Sequence, residues 1–520
     1  VSSVTYEPGV GLRHPGRLRR SIAHVLTDHG FDVLLGVVLA VFAIVLLASV
    51  PRDYDVDSWL ALVVGREVWQ SGIPHENLLT LTGYGHRWID EQWLSQLASY
   101  AVFRLGGLGL LGVLNVALMV GPVAAAITIA RRRGAAFGSV LVAIAPCVIL
   151  ISPSREIRTQ EFAMPLFVAV VWLLSSDARA SARDRRVYWC VPILALWANL
   201  HGSATLGAGL VVLYALTVLW DRRVRLRSDA RAWRRPALLS AGAALALLAT
   251  PYGLSVIGYY HSTMVDPELR QYVTEWKPIT TSSVLTVAWL ALCGLAVWSF
   301  GRSPSRTTTW EKLALLIVAV GALDVMRNTL FLSLLGLMVL PVALGLTPAG
   351  GTSGPSGQAT VRSRARINGA CAAVVAIVLL VVLVGTLTRA PASILYARQS
   401  PGLVPAVRRA TTADPSLRLI ADGQFSDFLL WEDPQLSGHV QADVRFELLS
   451  GPQLAAQNDV FLDSGSDPES FARGDRLVVL SRAIEPAAVA AFLAEPGSRL
   501  LWQGEGDLLV LRTAAQANRG

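Results

Sequence analysis

Asp53-Tyr54-Asp55-Val56-Asp57-Ser58-Trp59 follows, after Pro51-Arg52, on a largely apolar stretch, roughly residues 32–50. It is continued by Gly65-Arg66 and by Trp88-Ile89-Asp90-Glu91-Gln92-Trp93. An apolar run of about 20 residues is the length that crosses a bilayer as a helix. The acidic stretch therefore stands where a first membrane helix leaves the lipid. Acidic residues at such a boundary are commonly just solvated. These are set apart by the other conspicuous polar groups at helix ends, which fall on the same side once the chain is threaded.

Of the 520 residues, 53% are hydrophobic and only 16% charged, against about 25% charged in a soluble domain. Repeated apolar runs make this a mostly α, polytopic membrane protein. The net charge of +8 does not argue for nucleic acid, because the arginines cluster between spans, where the positive-inside rule puts them. Cys147, Cys190, Cys293 and Cys371 all lie in apolar runs without metal-ligand spacing, so they read as small hydrophobes and not as a disulfide framework. Arg17, Arg19 and Arg20 precede a span too long for a signal peptide. An uncleaved anchor with a cytoplasmic N-terminal segment, 1–31, is expected.

Threading follows the arginines. Span 1 (32–50) leads to a first external loop, 51–92. An amphipathic surface helix over 88–105 precedes span 2 (107–130), which ends at Arg131-Arg132-Arg133. Spans 3 (135–152) and 4 (161–175) flank Arg155-Glu156-Ile157-Arg158. The block 187–220 reads as two short spans with a turn at His201-Gly202-Ser203. One long span would put its two arginine-rich flanks on opposite faces. Spans 7 to 10 fall at 236–251, 282–300, 311–325 and 329–347. A Gly/Ser/Pro-rich linker, 348–361, precedes span 11 (369–388). About eleven spans over 32–388 result. Beyond 389 the apolar runs shorten, as at 418–421, 428–431, 476–480 and 507–511, with helical stretches near 402–411 and 484–495 between them. A C-terminal α/β domain, 389–520, is expected, extracytoplasmic by parity. No internal repeat supports an inverted-repeat transporter.

This threading gathers Asp53, Asp55, Asp57, Asp90, Glu91, Arg155, Arg158, His201, Glu275 and Arg327 on one face. Ionisable groups near membrane depth are costly and tend to be functional. A carboxylate can deprotonate an acceptor hydroxyl, and guanidinium binds phosphate bidentately. Each residue also has a structural reading. Asp53 and Asp55 can be solvated or cap the next helix, as can Asp57 for 58–70. Arg155 can snorkel, and His201 can be a hydrogen-bonded turn residue. Arg158 stands at a helix start, where the dipole disfavours a cation. An anionic partner is expected there, with Glu156 and Glu161 as candidates. The tryptophans Trp59, Trp69, Trp88 and Trp93 read mainly as an interfacial belt. Nucleotide-binding loops, zinc motifs and nucleophile elbows are absent from the sequence.

Asp55-Val56-Asp57-Ser58-Trp59, Gly65-Arg66, Gly72-Ile73-Pro74 and Trp88 to Leu94, taken in order, resemble bacterial polytopic proteins of the GT-C glycosyltransferase class. So do Arg158-Thr159-Gln160, Leu196 to Ser203, Pro251-Tyr252-Gly253, Glu275-Trp276 and Arg327-Asn328. Asp422-Gly423 and Asp443-Val444-Arg445 extend the resemblance more weakly into the C-terminal domain. The resemblance implies a sugar moved from a polyprenyl-phosphate donor to a glycan or lipid acceptor at the outer face of a bacterial plasma membrane. The catalytic aspartate then falls on Asp57, with Asp55 second. Arg158 and Arg327 would hold the phosphate, and His201, Glu275 and Glu91 would line the site. No cofactor is certain; a divalent metal is possible. The chain departs from the class pattern at Leu60-Ala61 and Glu91-Gln92, where relatives often carry histidine. The rival reading is non-catalytic, a lipid-glycan transporter or an envelope assembly scaffold. Proximity of Asp57 to Arg158 discriminates between the two.

Overall fold

Backbone amides inside a bilayer have no water to bond, so the apolar runs must satisfy themselves as helices. The computed structural model describes residues 30–180, 184–224, 233–265, 267–345, 357–461 and 476–513. The expectations for the N-terminal segment, for most of the arginine-rich stretch 221–235, for Asp266 and for most of the linker 348–361 lie outside the described residues.

The helices are α1 Gly30–Asp53, α2 Val56–Ser71, α3 Trp93–Arg132, α4 Phe137–Ile151, α5 Ala163–Arg179, α6 Cys190–Trp197, α7 Ala204–Val224 and α8 Arg234–Leu247. They continue as α9 Ser255–Val265, α10 Ser283–Arg302, α11 Thr309–Asp324, α12 Thr329–Leu344 and α13 Gly357–Leu387. Among the described residues, seven helical segments are long and apolar enough to cross a membrane. The block 187–220 is two helices broken at 198–203, as the arginine placement required. Gly106 and Gly107 kink α3 (Gly107 has φ +65°), which separates the expected surface helix from the expected second span. A side chain is disfavoured at that φ. All sixteen residues of α12 are buried, making it the centre of the bundle. Ile367–Leu387 in α13 is apolar yet almost wholly unburied, so it lies at the outside of the bundle.

The C-terminal region holds α14 Leu403–Ala413, β1 Arg418–Ile420, α15 Gly423–Glu432, α16 Gly451–Phe461, β2 Arg476–Ser481, α17 Pro486–Ala494, β3 Ser498–Gln503 and β4 Asp507–Arg512. The sheet order is β1-β2-β4-β3, with β1 and β2 parallel and the other pairs antiparallel. The apolar run 428–431 belongs to α15 and not to a strand. Its Phe428 and Leu429 pack inward as helix residues, a distinction that a four-residue run cannot make.

Two joints tie this region to the segment after α1. In the first, α15 packs on α2. Trp59 meets Phe428 edge-on with ring centroids 5.3 Å apart. Arg66 donates to the Leu430 and Trp431 carbonyls at 2.8 and 2.9 Å, satisfying the free end of α15, and its guanidinium stacks on Trp431. In the second joint, Leu81 and Thr82 donate their amides to Val440 and Gln441, and Leu419 pairs with the same segment. The buried Arg445 closes that joint. It pairs with Asp443, donates to Asn77 Oδ1 at 2.8 Å and lies over the Trp88 ring.

Candidate functional site

A short zipper sets Asp57. The Ile157 amide donates to the Asp53 carbonyl at 2.9 Å, and Ser58 Oγ donates to the Ile157 carbonyl at 2.6 Å. Two bonds thus bring the first turn of α2 against the loop before α5. Asp57 Oδ2 then lies 3.2 Å from Arg158 Nε. The Nε–H has no aligned hydrogen-bond acceptor, so the contact is an ion pair held by charge. Arg158 also pairs with Glu156 through Nη2 and with Glu275 through Nη1. The anionic partner expected at this helix start is therefore a set of three carboxylates.

Asp55 is placed differently from Asp57. It occupies the N-cap of α2, its amide donates to Ser58 Oγ, and its carboxylate pairs with Arg398 at 2.9 Å. Arg398, just beyond the last span, had no sequence signal, because its partner is hundreds of residues away. Asp53 is buried, bonded by Ser49 Oγ and 3.7 Å from Arg155. Its carboxylate serves the α1 exit.

His201 and Arg327 form the second half of the site. Leu94 N donates to Asn199 O, Ser95 Oγ to Leu200 O, and Trp93 Nε1 to Asn199 Oδ1 at 2.9 Å. These bonds clamp the 198–203 turn onto the start of α3. Gln160 Nε2 donates to the Arg327 carbonyl at 3.3 Å, carrying the turn Met326–Asn328 to the same place. The Ser203 amide donates to His201 Nδ1 at 3.1 Å, and Ser203 Oγ lies 2.7 Å from it. Nδ1 is thus an acceptor, and in the neutral ring the proton sits on Nε2. Burial, then the Arg327 charge, hold the imidazole pKa well below its ordinary value. Nε2 lies 3.3 Å from Arg327 Nη2, so two N–H donors stand side by side.

No carboxylate lies within ion-pair distance of the Arg327 guanidinium among the described residues. Its face is covered by Trp276, 5.2 Å from the ring centroid. Because Glu275, the neighbour of Trp276, pairs with Arg158, the turn Thr274–Trp276 touches both halves of the site.

Glu91 and Asp90 form the floor. Glu91 is buried against Gly202, where a Cβ would meet its Oε1 at 3.4 Å, and accepts from Gln92 Nε2 at 3.2 Å. Burial pushes its carboxyl pKa up. Asp90 is pushed up further, first by burial and then by the Glu91 charge, and its Oδ2 has no partner. Tyr259, which acts on the Glu91 carboxyl, was not singled out in the sequence; the adjacent pair Tyr259-Tyr260 between the expected spans 7 and 8 was the available signal. Among the described residues, no group of three or more His, Cys, Asp or Glu side chains is arranged to hold a metal ion.

Other stretches of the resemblance act as joints. Gly65 lets α2 approach α3 so closely that a Cβ would meet Tyr100 Cβ at 2.8 Å. The Tyr252 hydroxyl donates to the Pro74 carbonyl at 2.7 Å, linking Pro251-Tyr252-Gly253 to Gly72-Ile73-Pro74. Asp422 caps α15 by accepting from the Phe425 amide at 2.9 Å.

The helical bundle, the short helix after the first span and the attached α/β sheet define a polytopic membrane protein with the GT-C glycosyltransferase fold. The particular likeness is to ArnT from Cupriavidus metallidurans. Its structure bound to undecaprenyl phosphate aligns with a TM-score of 0.50 at 13% identity, covering 94% of this chain and 99% of that one. Its apo structure aligns with a TM-score of 0.51 at 14% identity, covering 92% and 97%. No protein-family model matches the chain, and no curated protein matches it in sequence.

Proposed function

We propose that this chain transfers a sugar from a polyprenyl-phosphate donor to a glycan or lipid acceptor on the extracytoplasmic face of a bacterial plasma membrane. Asp57 takes the proton from the acceptor hydroxyl as that oxygen attacks the anomeric carbon. The bond from the anomeric carbon to the phosphate oxygen breaks, and polyprenyl phosphate leaves with the electron pair. Arg327 and the His201 Nε2–H stabilise the charge on that phosphate. Arg158 orients Asp57 and, with Arg327, is a ligand of that phosphate. Asp55 is the second carboxylate, and Glu91 lines the sugar side.

The observation that carries this reading is the pair of adjacent donors, His201 Nε2 and Arg327 Nη2 at 3.3 Å, beside the Asp57–Arg158 pair at 3.2 Å. Two donors without an acceptor between them favour a shared anion, and a guanidinium free of carboxylates favours a phosphate. Undecaprenyl phosphate bound to a chain of the same fold adds support. In this reading 1–31 is cytoplasmic, 32–388 is the membrane-embedded catalytic domain and 389–520 is extracytoplasmic.

The test is sugar transfer by reconstituted protein from a panel of polyprenyl-phosphate monosaccharides. Asp57→Asn is expected to lower turnover by about 10²-fold or more, with an unchanged melting curve. Full activity in that variant would sink the catalytic assignment and leave the transporter or scaffold reading.

A further inference from the structure

We propose that Glu275 is the resting occupant of the phosphate subsite, and that the turn Thr274–Trp276 is a strap which leaves when a phosphate group enters. The proposal rests on the reading of Arg158 and Arg327 as phosphate ligands.

Arg158 is surrounded beyond neutrality. Its Nε faces Asp57, its Nη2 Glu156 and its Nη1 Glu275. Against the two cations Arg158 and Arg327 stand three carboxylates, so one of them is surplus to charge balance. Asp57 is fixed by the first turn of α2, and Glu156 lies two residues from Arg158 on the same loop. Glu275 arrives from a third segment, a three-residue 3-10 turn none of whose residues is buried.

The same turn covers the second cation. Trp276 lies over the Arg327 guanidinium, so Glu275 and Trp276 together occupy both arginines. Downstream the strap is anchored by the Met326 amide donating to the Lys277 carbonyl at 3.0 Å, and by the fully buried Ile279. Upstream it is held by an exposed ion pair, Arg270 with Asp324 at 3.1 Å. The hinge is thus firm downstream; upstream the exposed ion pair is joined by packing of Pro267–Tyr272 on α16.

The exchange swaps one anion for another. One carboxylate leaves Arg158, and the phosphate group spans Arg158 and Arg327, bringing one negative charge as the sugar-linked diester and up to two as undecaprenyl phosphate. The ligand must compete with Glu275, so its apparent affinity is lowered by the fraction of molecules with the strap open.

Binding of undecaprenyl phosphate to the full chain in nanodiscs tests this, with uncharged undecaprenol as the control for the tail. Glu275→Gln is expected to bind the phosphate about tenfold more tightly than the native chain, with undecaprenol binding unchanged. Hydrogen exchange over 270–281 is expected to rise in the native chain when the phosphate lipid is added, and to be high already in Glu275→Gln. Asp324→Asn, which loosens the strap without touching either arginine, should show both effects in smaller measure. If native chain and variants bind the phosphate lipid equally, with equal exchange, the strap is wrong and the phosphate site stands. If neither the native chain nor either variant distinguishes undecaprenyl phosphate from undecaprenol, the phosphate reading falls and the strap with it.

Discussion

At the scale of single residues, identical side chains carry different work according to what surrounds them. Asp55 and Asp57 stand two positions apart, yet one caps α2 and pairs with Arg398 while the other faces Arg158. Arg158 is saturated by carboxylates, and Arg327 is left with a histidine and an indole. A residue far from the site shows how burial sets chemistry. Glu485 follows β2, accepts from the Ser481 amide at 2.8 Å and keeps one oxygen without a partner. Burial first, then Asp422 and Asp507, push its carboxyl up to about 8. A carboxyl raised on folding holds its proton longer in the native state. Its contribution is therefore fully present below the ordinary carboxyl range and is lost as pH rises through about 8. Glu485→Gln is expected to remove most of that pH dependence. Melting curves should show the variant ahead of the native protein at pH near 8 and level with it near 5 (both chosen from that window).

At the scale of elements, α2 is the hinge pin of the design. Its N-terminal turn presents Asp57, one face packs on α3 through Gly65, and Arg66 on its surface ends α15. Gly65→Ala forces a Cβ against the Gln96 carbonyl and Tyr100. Overpacking of this kind costs about 1–3 kcal/mol, and thermal unfolding in detergent should show the loss. Gly36→Ala, where a Cβ meets nothing within 4 Å, is the matched control and is expected to leave the melting curve in place. Helix positions were legible in the chain because hydropathy accumulates over a span. The strand run 498–503 and the helical nature of 428–431 were not, because short runs carry no period of their own.

At the scale of the whole molecule, the bundle separates two kinds of polar cluster. One end of α5 carries Arg158 and Gln160, which reaches Arg327; the other end carries Ser175 and Arg179. At that second end Glu311, fully buried, takes two bonds of 2.8 Å from Arg179 and lies 3.6 Å from Arg133, while Asp177 pairs with Arg235. This network clamps α3, α5, α8 and α11 together. Removing one partner of a buried ion pair strands the rest, at about 3–5 kcal/mol. Glu311→Ala is accordingly expected to unfold at much lower temperature, and Glu311→Gln, which keeps one acceptor, at an intermediate one. An unchanged melting point in both would show that the clamp is idle.

The sequence by itself determined the apolar helices, the break at 198–203, the sheet-bearing C-terminal region and the list of polar residues from which a site had to be drawn. Transfer free energy into lipid is a property of each residue and adds along the chain, so a linear reading captures it. Only the tertiary structure decided who meets whom. Asp57 came to Arg158, Glu275 joined it from beyond α9, His201 met Arg327, and Arg66 closed a helix in the C-terminal region. Ion pairs and hydrogen bonds act over a few ångströms. Their partners here are brought together by packing from distant parts of the chain, and nothing in the local sequence encodes that distance.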